Sequence, residues 1–165
     1  MTVLGGAISI KKSALILRSN AQQEAGTLLN VDGLDYQDLV SLDSVSFDLS
    51  GVNSSASVAA ILLSRAEASL KNLVVRGNGN STFLVMSGSH VSELSGVSGE
   101  ELYTGITMSQ ASQIDLIMDV TIAAQEIGVL VNEGSRVCTL SNFHLNSSGQ
   151  AISVADSGQL GCVQN

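Results

Sequence analysis

The sequence predicts an all-β fold, a right-handed single-stranded parallel β-helix (solenoid) of about seven coils with about 23 residues in each coil. Three observations lead to this prediction. An apolar position recurs about every 23 residues, apolar and polar residues alternate over short runs, and Gly, Ser and Asn separate the runs. We expect the 165 residues to form one domain, residues 1–165, with a loop insertion near residues 49–57.

The recurring apolar position defines the first column of the predicted coils. It is occupied by Ile8, Val31, Ala60, Phe83, Ile106, Val129 and Ile152. The column two residues later contains Ile10, Gly33, Leu62, Val85, Met108, Val131 and Val154. The column eight residues later contains Ile16, Leu39, Ala68, Val91, Ile114, Val137 and Leu160. Because only Gly33 interrupts these columns, we expect them to point into one continuous core.

Small residues recur between the first strand of each coil and the next strand. They are Ala14, Ala66, Ser89, Ser112, Ser135 and Gly158. Small side chains at one level are typical of a tight bend. The spacing from Val31 to Ala60 is longer than the other spacings, and the excess falls in the Gly-, Ser- and Asn-rich stretch 49–57, which predicts a protruding loop.

Composition argues against two classes of partner. The net charge is −8 and only seven residues are Lys or Arg, which disfavours nucleic acid and anionic membrane surfaces. No apolar run is long enough to span a bilayer. Because only 3% of the residues are aromatic, the core has to be built from aliphatic side chains.

Candidate catalytic acids are few. Glycoside hydrolysis needs two carboxyl groups about 5 to 9.5 Å apart, which in a solenoid means neighbouring columns on adjacent coils. The candidates are Glu93, Glu100, Glu101, Asp115 and Asp119. No two of them share a column in the predicted register, so we assign no catalytic residue and do not expect an enzyme.

The two histidines have different predicted settings. His90 would stack directly on Glu67, which gives either a proton-transfer pair or a polar ladder on a wet face. His144 alternates between Phe143 and Leu145 and should point outward.

No spacing typical of a metal or cofactor site occurs, so none is assigned. The cysteines, Cys138 and Cys162, form either one bridge between neighbouring coils or two free thiols.

One stretch of the predicted outer surface is unusually apolar. If the first column points inward, the outward positions of the middle coils are Leu34, Ile61, Leu63, Leu84, Met86 and Leu130. An exposed apolar stripe needs a cover. We expect this cover to be another subunit of a homo-oligomer, with a local flap or a different partner protein as the alternatives.

The columns resemble those of the right-handed parallel β-helix (pectin-lyase-like) superfamily, which includes polysaccharide lyases, phage tail spikes and bacterial adhesins. The resemblance covers nearly the whole chain but is one of repeat, without a signature motif. It implies a non-enzymatic structural or receptor-binding module of a virus particle, such as a phage tail spike, fibre or capsid decoration protein. A trimer, contact with other virion proteins or a surface glycan, and a location in the virion or at a cell surface are also implied.

Two alternatives stay open beside this expectation. One is a bacterial surface or secreted adhesin on the same scaffold. The other is a small carbohydrate-active enzyme whose site forms between subunits. Because one fold hosts many activities, the resemblance does not choose among them.

Overall fold

The computed structural model describes residues 2–4, 8–16, 25–33, 39–53 and 55–164. These residues form strands, turns and loops without a helix, and the strands join one 13-stranded sheet whose pairs are parallel. The strands are β1 (Thr2–Leu4), β2 (Ile8–Ile16), β3 (Ala25–Asp32), β4 (Leu39–Asp48), β5 (Ser57–Ser64), β6 (Glu67–Lys71), β7 (Val74–Arg76), β8 (Ser81–Ser87), β9 (His90–Ser109), β10 (Gln113–Val131), β11 (Arg136–Ser147), β12 (Gln150–Val154) and β13 (Gln159–Gln164). The predicted all-β solenoid with coils about 23 residues apart is confirmed.

Strand pairing divides the coils into three faces, which the chain visits in the same order in each turn. Face A contains residues 2–4, 25–32, 57–64, 81–87, 104–109, 127–131 and 150–154. Face B contains residues 8–11, 39–43, 67–71, 90–95, 113–118, 136–141 and 159–164. Face C contains residues 13–16, 45–48, 74–76, 97–100, 120–124 and 143–147. Each coil pairs with the coils on either side of it, as expected of a solenoid.

The core of face A is a column of stacked aliphatic side chains. Consecutive register partners in it are Leu29, Ile61, Leu84, Ile106, Val129 and Ile152. All but Ile152 at the end of the stack are buried. Leu29 to Ile152 is five steps of the ladder, and the solenoid has about five turns rather than the predicted seven.

The predicted coil count was wrong because the opening coil was assigned to the wrong face. Ile8 pairs with Val40 on face B and not with the column of Val31, which pairs with Leu63. The early step from Leu29 to Ile61 is also the longest in the ladder. Dividing the chain into uniform 23-residue coils therefore overestimates their number.

The predicted outward stripe was wrong for four of its six residues. Ile61, Leu63, Leu84 and Met86 are each 0% exposed. Phe83 is 0% exposed as well, so two consecutive side chains enter the core and the alternation that follows is displaced by one residue.

Two stripe positions remain. Leu130 is half-buried and pairs with the outward-facing Thr107 and Ser153, so its predicted outward orientation is confirmed. Leu34 lies outside the described residues. The side chains that replace the predicted stripe on the outside of face A are Leu62 and Val85, which lie between inward-pointing neighbours.

The inward and outward positions are also displaced by one residue at Leu39 and at Val74. Leu39 was expected to point inward but is 48% exposed, and its neighbour Val40 takes the core position. Val74 lies 23 residues before the buried Val97 but is itself 54% exposed, and Leu73 and Val75 on either side of it are buried.

Four residues of the predicted small-residue column, Ala66, Ser89, Ser112 and Ser135, form a buried bend between faces A and B. Gly158 is half-buried, and the prediction was wrong for Ala14, which is exposed in β2 and pairs with Ser46. The Oγ atoms of Ser89, Ser112 and Ser135 each accept a hydrogen bond from the corresponding N–H of the preceding coil, at 3.1 to 3.2 Å. Ser112 Oγ also donates to Ser109 O at 2.6 Å. The column therefore supplies partners for buried amides at a sharp turn.

A second bend, between faces B and C, uses the left-handed backbone region. The residues at this corner have φ between 48° and 62° and are Ser44, Asn72, Gly96, Asp119 and Asn142. Gly, Asn and Asp adopt this region with the least strain, so the polar residues at this level have a backbone role.

The insertion near residues 49–57 lies in the loop between β4 and β5. Its apolar residues do not protrude, because Leu49, Val52 and Ala56 are all buried. The side-chain amide of Asn78 donates to the backbone oxygens of Asn53 and Ala56, at 3.1 and 3.3 Å. The loop therefore packs against the next coil.

The register can be tested with a matched pair of truncations. Leu84→Ala should lower the free energy of unfolding by about 2 to 5 kcal/mol, because it opens a cavity in the core. Val85→Ala, one residue further on and facing outward, should cost less than about 1 kcal/mol. Chemical denaturation monitored by circular dichroism measures both. A larger loss for Val85→Ala would contradict the register.

Candidate functional site

Polar and ionisable side chains form a line along the outside of face B, which we call the polar strip. It comprises Glu67, His90, Gln113, Asp115, Arg136 and Cys138. Its first column is held outward because each member precedes a buried core residue, as His90 precedes Val91 and Gln113 precedes Ile114. Stacking at about 4.8 Å brings these side chains within contact distance from coil to coil.

His90 lies between two carboxylates. Its Nε2 atom is 2.8 Å from Oδ2 of Asp115, and its Nδ1 atom is 3.8 Å from Oε1 of Glu67. Glu67 and His90 are direct register partners, which confirms the predicted stacking. The side chains of the three residues are between 32% and 44% exposed, so the group lies at the surface.

The contact of Asp115 with His90 was not predicted, because the two residues occupy different columns. The chain places two residues, Asp115 and Leu116, between the buried Ile114 and Ile117, where a regular strand would place one. This irregularity turns the Asp115 carboxylate towards the neighbouring coil. A register shift between the same faces one turn earlier, after Ala68, indicates a related irregularity.

Asp115 is the centre of the hydrogen-bond network. It accepts from the side-chain amide of Gln113, and Sγ of Cys138 lies 3.8 Å from its Oδ1 atom. Partial burial acts to raise the pKa of Asp115, but the hydrogen bonds from Gln113 and His90 outweigh burial and hold this pKa below its ordinary value. Arg136 donates from Nε to Oε1 of Gln113 at 2.8 Å and so extends the network by one coil.

A second ionic group lies next to the polar strip on face B. Lys71 forms an ion pair with Glu93, which also accepts a hydrogen bond from Ser95 Oγ at 2.7 Å. The hydrogen bond from Lys71 is the largest cause of a lowered pKa for Glu93, followed by that from Ser95. Glu93 is therefore held as a carboxylate by its neighbours.

The remaining candidate acids are dispersed. Asp119 lies at the exposed corner between faces B and C, where it accepts from the Asn142 amide at 2.5 Å. Glu100 and Glu101 are exposed residues of β9, 3.7 and 3.6 Å from Nε of Arg76. None of these three carboxylates shares a column with another acid, in agreement with the predicted register.

The remaining reactive side chains are the second histidine and the two cysteines, of which Cys138 belongs to the polar strip. His144 is exposed, as predicted, and its Nε2 atom lies 3.2 Å from Oδ1 of Asn142. Both cysteines are free, with Cys138 partly buried and Cys162 exposed, so of the two alternatives the structure has two thiols.

A shallow depression of about 260 Å³ lies at the corner after face C. It is lined by Glu101, Leu102, Ala123, Ala124, Gln125, Asn146 and Ser148. Only one of these residues carries a carboxylate, so the depression lacks a second acid for glycoside hydrolysis.

Within the described part of the chain, no group of three or more His, Cys, Asp or Glu residues could hold a metal ion. The same residues include no helix that is long and apolar enough to cross a membrane. Comparison of the chain with protein-family models, with curated proteins and with solved structures gives no match. The class defined by fold and site together is thus a parallel β-solenoid with a polar strip on one face.

The pH dependence of stability should depend on Asp115. Because the folded-state pKa is below the ordinary value of 3.8, its stabilising effect is present above that value and is lost as the pH falls through the folded-state pKa. Asp115→Asn removes this titration, so the variant should lose less stability than the parent between about pH 5 and about pH 3. Urea denaturation across this range measures the difference.

The matched control is Asp156→Asn, because the Asp156 carboxylate is exposed and has no hydrogen bond or ion pair with another described residue. This variant should keep the pH profile of the parent. Equal profiles for the parent and Asp115→Asn would show that the contacts of Asp115 do not stabilise the folded state.

Proposed function

We propose that this chain is a non-enzymatic structural or receptor-binding module of a virus particle, such as a phage tail spike, fibre or capsid decoration protein. In this proposal face B presents the polar strip to a glycan on the host surface. The location is the virion or the extracellular space. The proposal rests on the β-solenoid scaffold and on the chemistry of the strip.

The position of the His90 ring is the main support for a non-enzymatic function. A glycosidase needs two carboxyl groups with the scissile bond between them. Here the imidazole occupies the space between Glu67 and Asp115 and contacts both. The ring is hydrogen-bonded to Asp115 and lies within ion-pair distance of Glu67. Such a ladder suits a role in holding the coils in register better than it suits an acid and base that flank a substrate.

The glycan part is supported by the kinds of groups that the strip presents. Arg136 is exposed and uses one guanidinium N–H on Gln113, and a guanidinium has further donors in a fixed planar arrangement. The exposed Ser92 adds a hydroxyl one coil away from Asp115 and two coils away from Cys138. Hydroxyl, amide and guanidinium groups on a rigid sheet are typical partners for sugar hydroxyls and carboxylates.

The virion setting is supported by two features. The fold is built from one repeated coil, which makes an extended, rigid scaffold for assembly. Charged residues make up only 13% of the chain, and much of the outer surface is Ser, Asn, Gln and Thr. A bacterial adhesin would share both features. It would differ from a virion protein in its source and not in its binding chemistry.

A glycan array probed with the intact chain tests the proposal. We expect retention on a subset of glycans and at least tenfold weaker binding of Arg136→Ala, because the variant removes the most exposed donor of the strip. Arg76→Ala, an exposed arginine on face C, is the matched control and should bind like the parent.

The bound glycans should then be incubated with the protein and assayed for new reducing ends. None are expected. Release that disappears in Glu67→Gln or Asp115→Asn would contradict the non-enzymatic proposal and favour the carbohydrate-active enzyme. Absence of binding to every glycan, or equal loss in the Arg76→Ala control, would contradict the role of the polar strip.

A further inference from the structure

The arginines that the structure describes differ in whether a carboxylate occupies the guanidinium group. Arg65 Nη2 lies 2.8 Å from Oδ1 of Asp32, and Arg76 Nε lies 3.6 Å from Oε2 of Glu101. Arg136, in contrast, is exposed and has no carboxylate of the described residues within ion-pair distance. Its guanidinium therefore carries a charge that no described carboxylate neutralises.

A chain of hydrogen bonds positions this guanidinium. Arg136 Nε donates to Oε1 of Gln113 at 2.8 Å, and the amide nitrogen of Gln113 donates to Oδ1 of Asp115. Because a carboxylate only accepts, Asp115 determines which end of the Gln113 amide faces Arg136. The two Nη atoms make no hydrogen bond to a described residue, so this relay leaves a planar pair of donors free.

The neighbours of Arg136 along the rod are both amides. Gln113 is its register partner in the preceding coil, and Gln159 is its register partner in the following coil. Gln159 is exposed, and its side chain makes no hydrogen bond to a described residue. An anion bound at Arg136 would therefore have beside it an amide that donates to and accepts from neighbouring hydroxyl groups.

We propose that Arg136 is the anchor for one carboxylated sugar residue, a uronic acid or a sialic acid. The sugar carboxylate accepts two parallel hydrogen bonds from the guanidinium, and Gln159 bonds a hydroxyl group of the same ring. A planar guanidinium matches the two oxygens of a carboxylate in this way, whereas an ammonium group does not. The inference rests on the proposed glycan-binding function and names the ligand class for the polar strip.

The charges around Arg136 favour a ligand with a single carboxylate over a polyanion. The chain has a net charge of −8, and the polar strip itself contains the carboxylates of Glu67 and Asp115. Lys71, which lies three coils before Arg136 on the same face, is already paired with Glu93. A row of unpaired cations, which a polyanion needs, is therefore missing among the described residues of the strip.

Nuclear magnetic resonance titration of the isotope-labelled intact chain tests the proposal with two pairs of probes. The first pair is methyl glucuronide and methyl glucoside, which differ in the carboxylate alone. The second pair is sialyllactose and lactose, which differ in the sialic acid residue. At least one acidic probe should shift the resonances of the Arg136 Nε–H and the Gln159 amide, and its neutral partner should bind at least about tenfold more weakly. The pair that responds tells a uronic acid from a sialic acid.

Arg136→Lys separates bidentate recognition from simple attraction of charge. It keeps the positive charge but loses the planar fork, so it should weaken binding of the acidic probe at least about tenfold. Arg65→Lys is the matched control and should bind like the parent, because Asp32 already occupies that guanidinium.

Gln113→Ala tests the positioning of Arg136. Without the acceptor, the Nε–H resonance of Arg136 in the free protein should move towards that of a solvated arginine. Binding of the acidic probe should weaken about two- to tenfold, because the guanidinium is no longer held in place.

The outcomes separate this inference from the proposed function. Equal binding of the acidic and neutral members of both pairs, or unchanged binding in Arg136→Lys, would overturn the carboxylate anchor and leave a glycan-binding function in place. Absence of any shift at about 20 mM of all four probes would overturn the anchor as well. The glycan array then decides by itself whether the polar strip binds glycans.

Discussion

The whole architecture depends on parallel backbone pairing between coils combined with aliphatic stacking in register. Each coil donates and accepts hydrogen bonds along the rod, so a residue's position within its coil sets both its depth and its neighbours. The stack of Leu84, Ile106 and Val129 shows this coupling on face A. Residues far apart in sequence become contacts because they share a column.

This stacking also determines which side chains lie together on the surface of each face. The polar strip exists because outward positions of face B fall beside each other, which brings Glu67, His90 and Asp115 together from three coils. The outward surface of face A, which includes Leu62 and Val85, arises in the same way from consecutive coils. Neither surface could be formed by a single coil, so both require the stack to be intact.

The sequence was sufficient for the elements that repeat with a regular period. The stacking of Ile106, Val129 and Ile152, the buried serine bend and the pairing of Glu67 with His90 all follow from the 23-residue spacing. The 23-residue spacing alone predicts these features, because a regular repeat places equivalent residues at equivalent depths in the fold.

The features that sequence reasoning missed are those where one residue is added to or removed from a strand. Phe83 and Leu84 are both apolar, so alternation could not show that both are buried and that Leu84 stacks on Ile106. The extra outward residue after Ile114 has no recognisable sequence pattern either, although it places the Asp115 carboxylate beside the His90 ring. The positions of such irregularities depend on how side chains of neighbouring coils pack together, and a single sequence does not show this packing.

The most direct test of the stacking uses the methionines as probes. Met86 and Met108 are register partners and both are 0% exposed, whereas Met118 is partly exposed on face B. In protein labelled at the methionine methyl groups, we expect a strong nuclear Overhauser effect between Met86 and Met108. Both should be protected from a soluble paramagnetic agent that broadens Met118. A Met86 methyl group that is broadened by the agent and shows no contact with Met108 would contradict the register on which the core, the polar strip and face A all depend.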